Sequence, residues 1–85
     1  MSIGYIEFIG IKIFEKDIQK VRIKKDTDKI LYEKGWGYLH SHEYKHLCQG
    51  IKRLRLIEKY YPDSEYIIMF YKRIQQCNKY LTKIA

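Results

Sequence analysis

The chain's three histidines fall within seven residues, at His40, His42 and His46. The string His42-Glu43-Tyr44-Lys45-His46 has residue types and spacing suited to metal chemistry. Helical positions four apart stand one above the other, so on a helix His42 and His46 could share a transition-metal ion, and Glu43 could take a proton from a bound water. Cys77, on a later segment, supplies a thiolate for a non-catalytic version of such a site. Outside this string little points to catalysis. Cys48 and Cys77 form no C-x-x-C pair and sit in apolar-periodic stretches, so they read first as small core residues. No glycine-rich phosphate loop, paired catalytic carboxylate or nucleophile elbow is present. Neither Ser2 nor Ser41 has an evident base, and Cys48 follows His46 by two residues, which helical geometry turns away from it.

The H-E-x-x-H string resembles the helix motif of zincin-type zinc peptidases over five residues only. A third ligand is lacking, since Glu58 would lie about 18 Å further along the same helix. The extended form of the motif wants a glycine and a histidine where Gln49 and Lys52 stand. Lys45 also sets a cation beside the site. The expectation is therefore no enzyme and no bound cofactor, with His42, His46 and Cys77 the set that would suit a structural zinc ion.

Charge gives the broader indication. The chain carries 17 Lys and Arg against 10 Asp and Glu, a formal net charge of +7. Residues 1–44 hold eight basic and seven acidic side chains, whereas residues 45–85 hold nine and three. A field of that sign attracts polyanions or an acidic protein surface. No uncharged run approaches the roughly 18–20 residues that span a bilayer, and Glu7 interrupts the place where a signal peptide needs its apolar centre. These features predict no membrane partner and a cytoplasmic location, the host cytoplasm if the protein is viral. Ile, Lys and Tyr fill 36 of the 85 positions, a bias expected of AT-rich genomes such as those of many phages, archaeal viruses and low-GC bacteria.

At 85 residues, the chain has material for a single small domain spanning 1–85. Residues 3–14 are rich in β-branched and aromatic side chains, apolar on both alternating sets, and read as a strand that curls or breaks near Gly10. Residues 18–25 alternate, with Val21 and Ile23 on one side and Lys20, Arg22 and Lys24 on the other, which predicts a half-exposed strand carrying a basic comb. Asp26-Thr27-Asp28 reads as a turn. A third strand at 29–34 is expected to end at Gly35-Trp36-Gly37. Beyond Tyr38 the period changes. Ser41 can cap a helix over 42–61 whose apolar side holds Tyr44, Leu47, Ile51, Leu54 and Tyr61. Pro62 ends it, and a second helix over 64–84 carries a seam of Ile67, Phe70, Ile74, Cys77, Leu81 and Ile84. The predicted fold is α+β, a three-stranded antiparallel β-meander followed by a C-terminal antiparallel αα-hairpin.

On the first of these helices Lys45, Lys52, Arg55 and Lys59 fall within about 80° of one another, forming one basic stripe. Together with Lys20, Arg22 and Lys24 they can meet successive phosphates, and Trp36 can stack on a base. The plainer readings are a solvated helix face for the stripe and a core plug for Trp36. The leading expectation is a small, basic, non-enzymatic nucleic-acid-binding module. The alternative is a phage- or virus-type protein that binds and inhibits or adapts a host protein machine through its basic and Tyr-rich surfaces, and a homodimer is compatible with an open strand edge.

Overall fold

Near the N-terminus the apolar parity changes. Ile6 and Phe8 are even-numbered, Ile11 and Ile13 odd-numbered, and antiparallel pairing of the two stretches in register 6 with 13 and 8 with 11 puts all four on one face. A computed structural model of the chain describes residues 5–8 and 10–73. In it strands β1 (Tyr5–Phe8) and β2 (Ile11–Phe14) form an antiparallel hairpin with Ile6 opposite Ile13 and Phe8 opposite Ile11. Gly10 takes φ +78°, a left-handed conformation that side chains disfavour. Phe8 and Ile13 are fully buried, and the other face carries the oppositely charged pair Glu7 and Lys12. Over its described residues, 5–8 and 10–14, the doubly apolar run is thus one short hairpin rather than one strand buried on both sides.

The expected meander is not formed. The described residues hold one two-stranded sheet, and the remainder is mostly helical. In place of a strand at 18–25 the chain makes a short helix, α1 (Glu15–Lys20), followed by an extended segment, 21–27, outside the sheet. Glu15 and Asp17 in the first turn and Lys20 in the last suit the helix dipole, and Ile18 supplies the buried contact. The alternation downstream is real nonetheless. Val21 and Ile23 pack on the core, while Arg22 and Lys24 are exposed.

The expected strand at 29–34 is also a helix, α2 (Asp28–Leu39), which runs straight through Gly35 and Gly37. The Thr27 hydroxyl caps it by accepting from the Ile30 amide at 3.4 Å, and Leu31, Gly35 and Leu39, four apart, form its buried edge. Each interior glycine costs a helix about 1 kcal/mol relative to alanine. Packing explains Gly35. Helix α3 (Tyr44–Tyr60) crosses α2 where Gly35 meets Gly50, and a Cβ built on Gly50 would lie 2.9 Å from both the Gly35 carbonyl oxygen and Leu39 Cγ. A Cβ on Gly35 would meet Gly50 and Leu54. Approach of 35 to 54 and of 39 to 50 makes the pair antiparallel.

Helix α3 forms close to the expected 42–61, beginning two residues later. Its N-cap is Glu43, not Ser41; the Ser41 hydroxyl instead accepts from the Glu43 amide at 3.1 Å. Leu47, Cys48, Gly50, Ile51, Leu54 and Ile57 are its buried residues. The chain turns at Pro62-Asp63, and residues 66–73 form a further helix, α4, with Phe70 buried. The Tyr71 hydroxyl donates to Glu58 at 2.6 Å, bringing α4 back onto α3. Of the expected seam, Ile67 and Phe70 pack on the core. Ile74, Cys77, Leu81 and Ile84 lie outside the described residues. No helix among the described residues is long and apolar enough to cross a membrane.

Candidate nucleic-acid interface

The basic surface follows from how α1 and the segment after it lie on α3. With Lys45 as zero and 100° per residue, the buried residues of α3 fill an arc from about 120° (Ile57) to about 300° (Cys48). Lys52, Lys59 and Lys45 fall outside it, at about 340°, 320° and 0°. Arg55 falls at about 280°, between Ile51 and Cys48 and inside the arc. A guanidinium held there needs a partner, and α1 provides one. Glu15 accepts from both terminal nitrogens of Arg55, with Nη2 at 2.6 Å from Oε1. The hydrogen-bonded guanidinium holds the Glu15 carboxyl below the usual carboxylate range, and the carboxylate raises Arg55 in turn. Arg55 is therefore a strut between α3 and α1, its guanidinium already engaged by a carboxylate.

Two further interactions fix the comb beside the stripe. Lys52 Nζ donates to Gln19 Oε1 at 3.2 Å, and the Lys25 ammonium lies 5.3 Å from the centre of the Tyr60 ring. Residues 19–25 thus run alongside α3 from Lys52 to Tyr60. The Tyr61 hydroxyl, donating to the Asp26 carbonyl at 3.0 Å, ties the far end of this segment. Lys20, Arg22, Lys24 and Lys25 are exposed on it, and Lys59 is exposed next to it on the helix. Lys45 is exposed two turns before Lys52, in a first turn that contains no acidic residue. Among the described residues the ion pairs are Arg55–Glu15 and Lys34–Asp26, and the His46 ring lies 3.6 Å from the Glu43 carboxylate. Lys20, Arg22, Lys24, Lys45, Lys52 and Lys59 take part in none of them.

Trp36 does not join this surface. It sits on α2, which packs on α3 through Gly50 and Leu54, roughly 140–180° around the helix from Lys52 and Lys59. Its half-buried ring lies 5.7 Å from Tyr32, meets His40 edge-on at 5.2 Å and has the Arg73 guanidinium 5.6 Å above it. Tyr32 in turn stacks on Tyr66 at 4.5 Å. Trp36 is part of a packed aromatic row joining α2 to α4. The exposed aromatic beside the cations is Tyr60. Its position at about 60° on the same wheel, outside the buried arc, was the available signal.

The metal string is divided by the start of α3. His42 is exposed in the loop at 41–43, and Glu43 is the N-cap, so His42 and His46 do not share a helical face. His46 Nδ1 lies 2.9 Å from Ser41 Oγ and 3.6 Å from Glu43. Among the described residues no three His, Cys, Asp or Glu side chains gather to hold a metal ion; Cys77 is outside them.

A second polar cluster joins the hairpin to the helices. The Tyr44 hydroxyl accepts from the Phe14 amide at 3.1 Å and donates to Asp17. Burial, then the Asp17 charge, pushes up the Cys48 thiol nearby. No family model, curated protein or solved structure matches this chain.

Proposed function

We propose that the chain is a small, basic, non-enzymatic nucleic-acid-binding module. One observation carries the reading. The comb of Lys20, Arg22, Lys24 and Lys25 lies against α3 beside Lys52 and Lys59, so cations from two separated stretches form one row held through Gln19 and Tyr60. Such a row can meet successive phosphates and release their counterions.

The test is binding of labelled DNA and RNA as a function of salt. Arg22, Lys24 and Lys59 changed together to Glu should weaken binding and reduce the slope of log K against log salt by about 0.9 for every duplex phosphate that is no longer neutralised. Unchanged affinity at two ionic strengths would overturn the assignment.

A second reading, an inhibitor or adaptor of phage or viral type that binds a protein, draws on Ile68, Met69 and Tyr71, exposed along α4 at 61%, 45% and 48%. Capture from nuclease-treated lysate separates the two, because a directly bound protein persists and one bridged by nucleic acid disappears.

A further inference from the structure

Tyr60 ends α3 with 47% of its surface exposed. Two ammonium groups, Lys25 from the extended segment and Lys59 from the helix, each lie 5.3 Å from the centre of its ring. Cations held over an aromatic face are attracted by its quadrupole, by about 0.5–1 kcal/mol at exposed sites. Here the geometry is also set by the backbone, because the Tyr61 hydroxyl anchors the Asp26 carbonyl and Ser64 Oγ donates to Asp28 at 2.8 Å. A groove of about 380 Å3 opens beside the ring, lined by Tyr60, Tyr61, Pro62 and Ser64 with Asp28 and Asp63. Those two carboxylates disfavour a phosphate in the groove and direct one to the lysine side.

Resting on the nucleic-acid reading above, we infer that Tyr60, Lys25 and Lys59 form a stacking clamp for one unpaired nucleotide, making single-stranded nucleic acid the preferred partner of the basic row. The base lies on the ring and its flanking phosphates meet the two ammonium groups, which need only swing from the ring face. Every base has a π-face, so the clamp is tolerant of sequence. In a duplex those faces are hidden in the stack, and only the lysines would be satisfied.

The experiment is fluorescence anisotropy of the full chain with a labelled oligo-dT and with a duplex of equal length, each over a salt series, for wild type, Tyr60→Ala, Tyr60→Phe and Lys25→Gln/Lys59→Gln. Circular dichroism verifies the fold of each variant. The expected result is tighter binding of oligo-dT than of duplex. Tyr60→Ala should weaken oligo-dT binding by about 5- to 150-fold, the range for one base stacked on an aromatic ring, with its salt slope unchanged, and Tyr60→Phe should retain most of the affinity. The lysine pair should lower the single-strand slope by about 0.7 for each phosphate left without its cation. Affinity of Tyr60→Ala within twofold of wild type, or duplex bound as tightly as oligo-dT, overturns the clamp while the nucleic-acid reading stands. No binding of either ligand at low salt overturns both.

Discussion

Replacing Gly50 by alanine should destabilise the protein, although alanine is the better helix former. The added Cβ would lie 2.9 Å from the Gly35 carbonyl oxygen, 2.9 Å from Leu39 Cγ and 3.0 Å from Leu39 Cδ2. Leu39 is fully buried and the Gly35 oxygen is backbone, so relief requires α2 and α3 to separate. Overpacking of this kind costs about 1–3 kcal/mol, and the gain in helix propensity returns up to about 1 kcal/mol. The net loss, up to about 2 kcal/mol after that offset, corresponds to a fall in Tm of up to roughly 16 °C for a domain of this size. Gly37 is the internal control. It lies in α2, on the other side of the same crossing, with nothing within 4 Å of a built Cβ, and Gly37→Ala should raise stability by about 0.5–1 kcal/mol. Thermal and urea unfolding followed by circular dichroism measure both. If Gly50→Ala is stabilising, the close crossing of α2 and α3 is wrong. If Gly37→Ala is destabilising, residues 35–37 act as a chain break and the helix at 28–39 is wrong.

Glu15→Gln should cost about 0.5–1.5 kcal/mol at neutral pH, between an exposed and a buried ion pair. Because the folded Glu15 carboxyl lies below its ordinary range, its contribution is complete above the unfolded-state value and is lost as pH falls through the folded one. Acid unfolding of wild type should accordingly show a step that Glu15→Gln lacks, and parallel stability curves from pH 7 to pH 3 would contradict this. Tyr44→Phe removes the hydroxyl that accepts from the Phe14 amide and donates to Asp17; it should lower Tm and speed hydrogen exchange at Phe14, and an unchanged Phe14 amide would count against the link between hairpin and helix. In a Cys77→Ser background the buried Cys48 thiol, pushed up by burial and by Asp17, should be alkylated only at the rate of unfolding. Fast labelling of the native chain would show that the site is open.

The helix at 44–60 was legible because apolar residues recur through it at one period, and Pro62 marks its end. The comb was legible too, since Val21 and Ile23 face inward and Arg22 and Lys24 outward whether or not a sheet adjoins them. Misreading of α2 came from Gly35 and Gly37. Locally they are chain breakers, and only the approach of Gly50, fifteen residues away, explains why Gly35 is favoured inside a helix. The Thr27 cap and the spacing of Leu31, Gly35 and Leu39 carried the helical signal that the glycines masked. At 3–14 the parity shift around Gly10 was visible but reads equally as burial on both faces. The role of Arg55 depends on Glu15, and the setting of Tyr60 depends on Lys25; partners 40 and 35 residues distant are outside the reach of any local pattern.

The joining of the comb to the α3 lysines, on which the proposed function depends, is tested most directly by titrating the isotopically labelled chain with oligo-dT and following amide shifts by NMR. The expected perturbations cluster at residues 20–25 and at Lys52, Lys59 and Tyr60, with the Trp36 indole N–H unmoved. A shift of the Trp36 indole with residues 20–25 unaffected would contradict the placement of the interface.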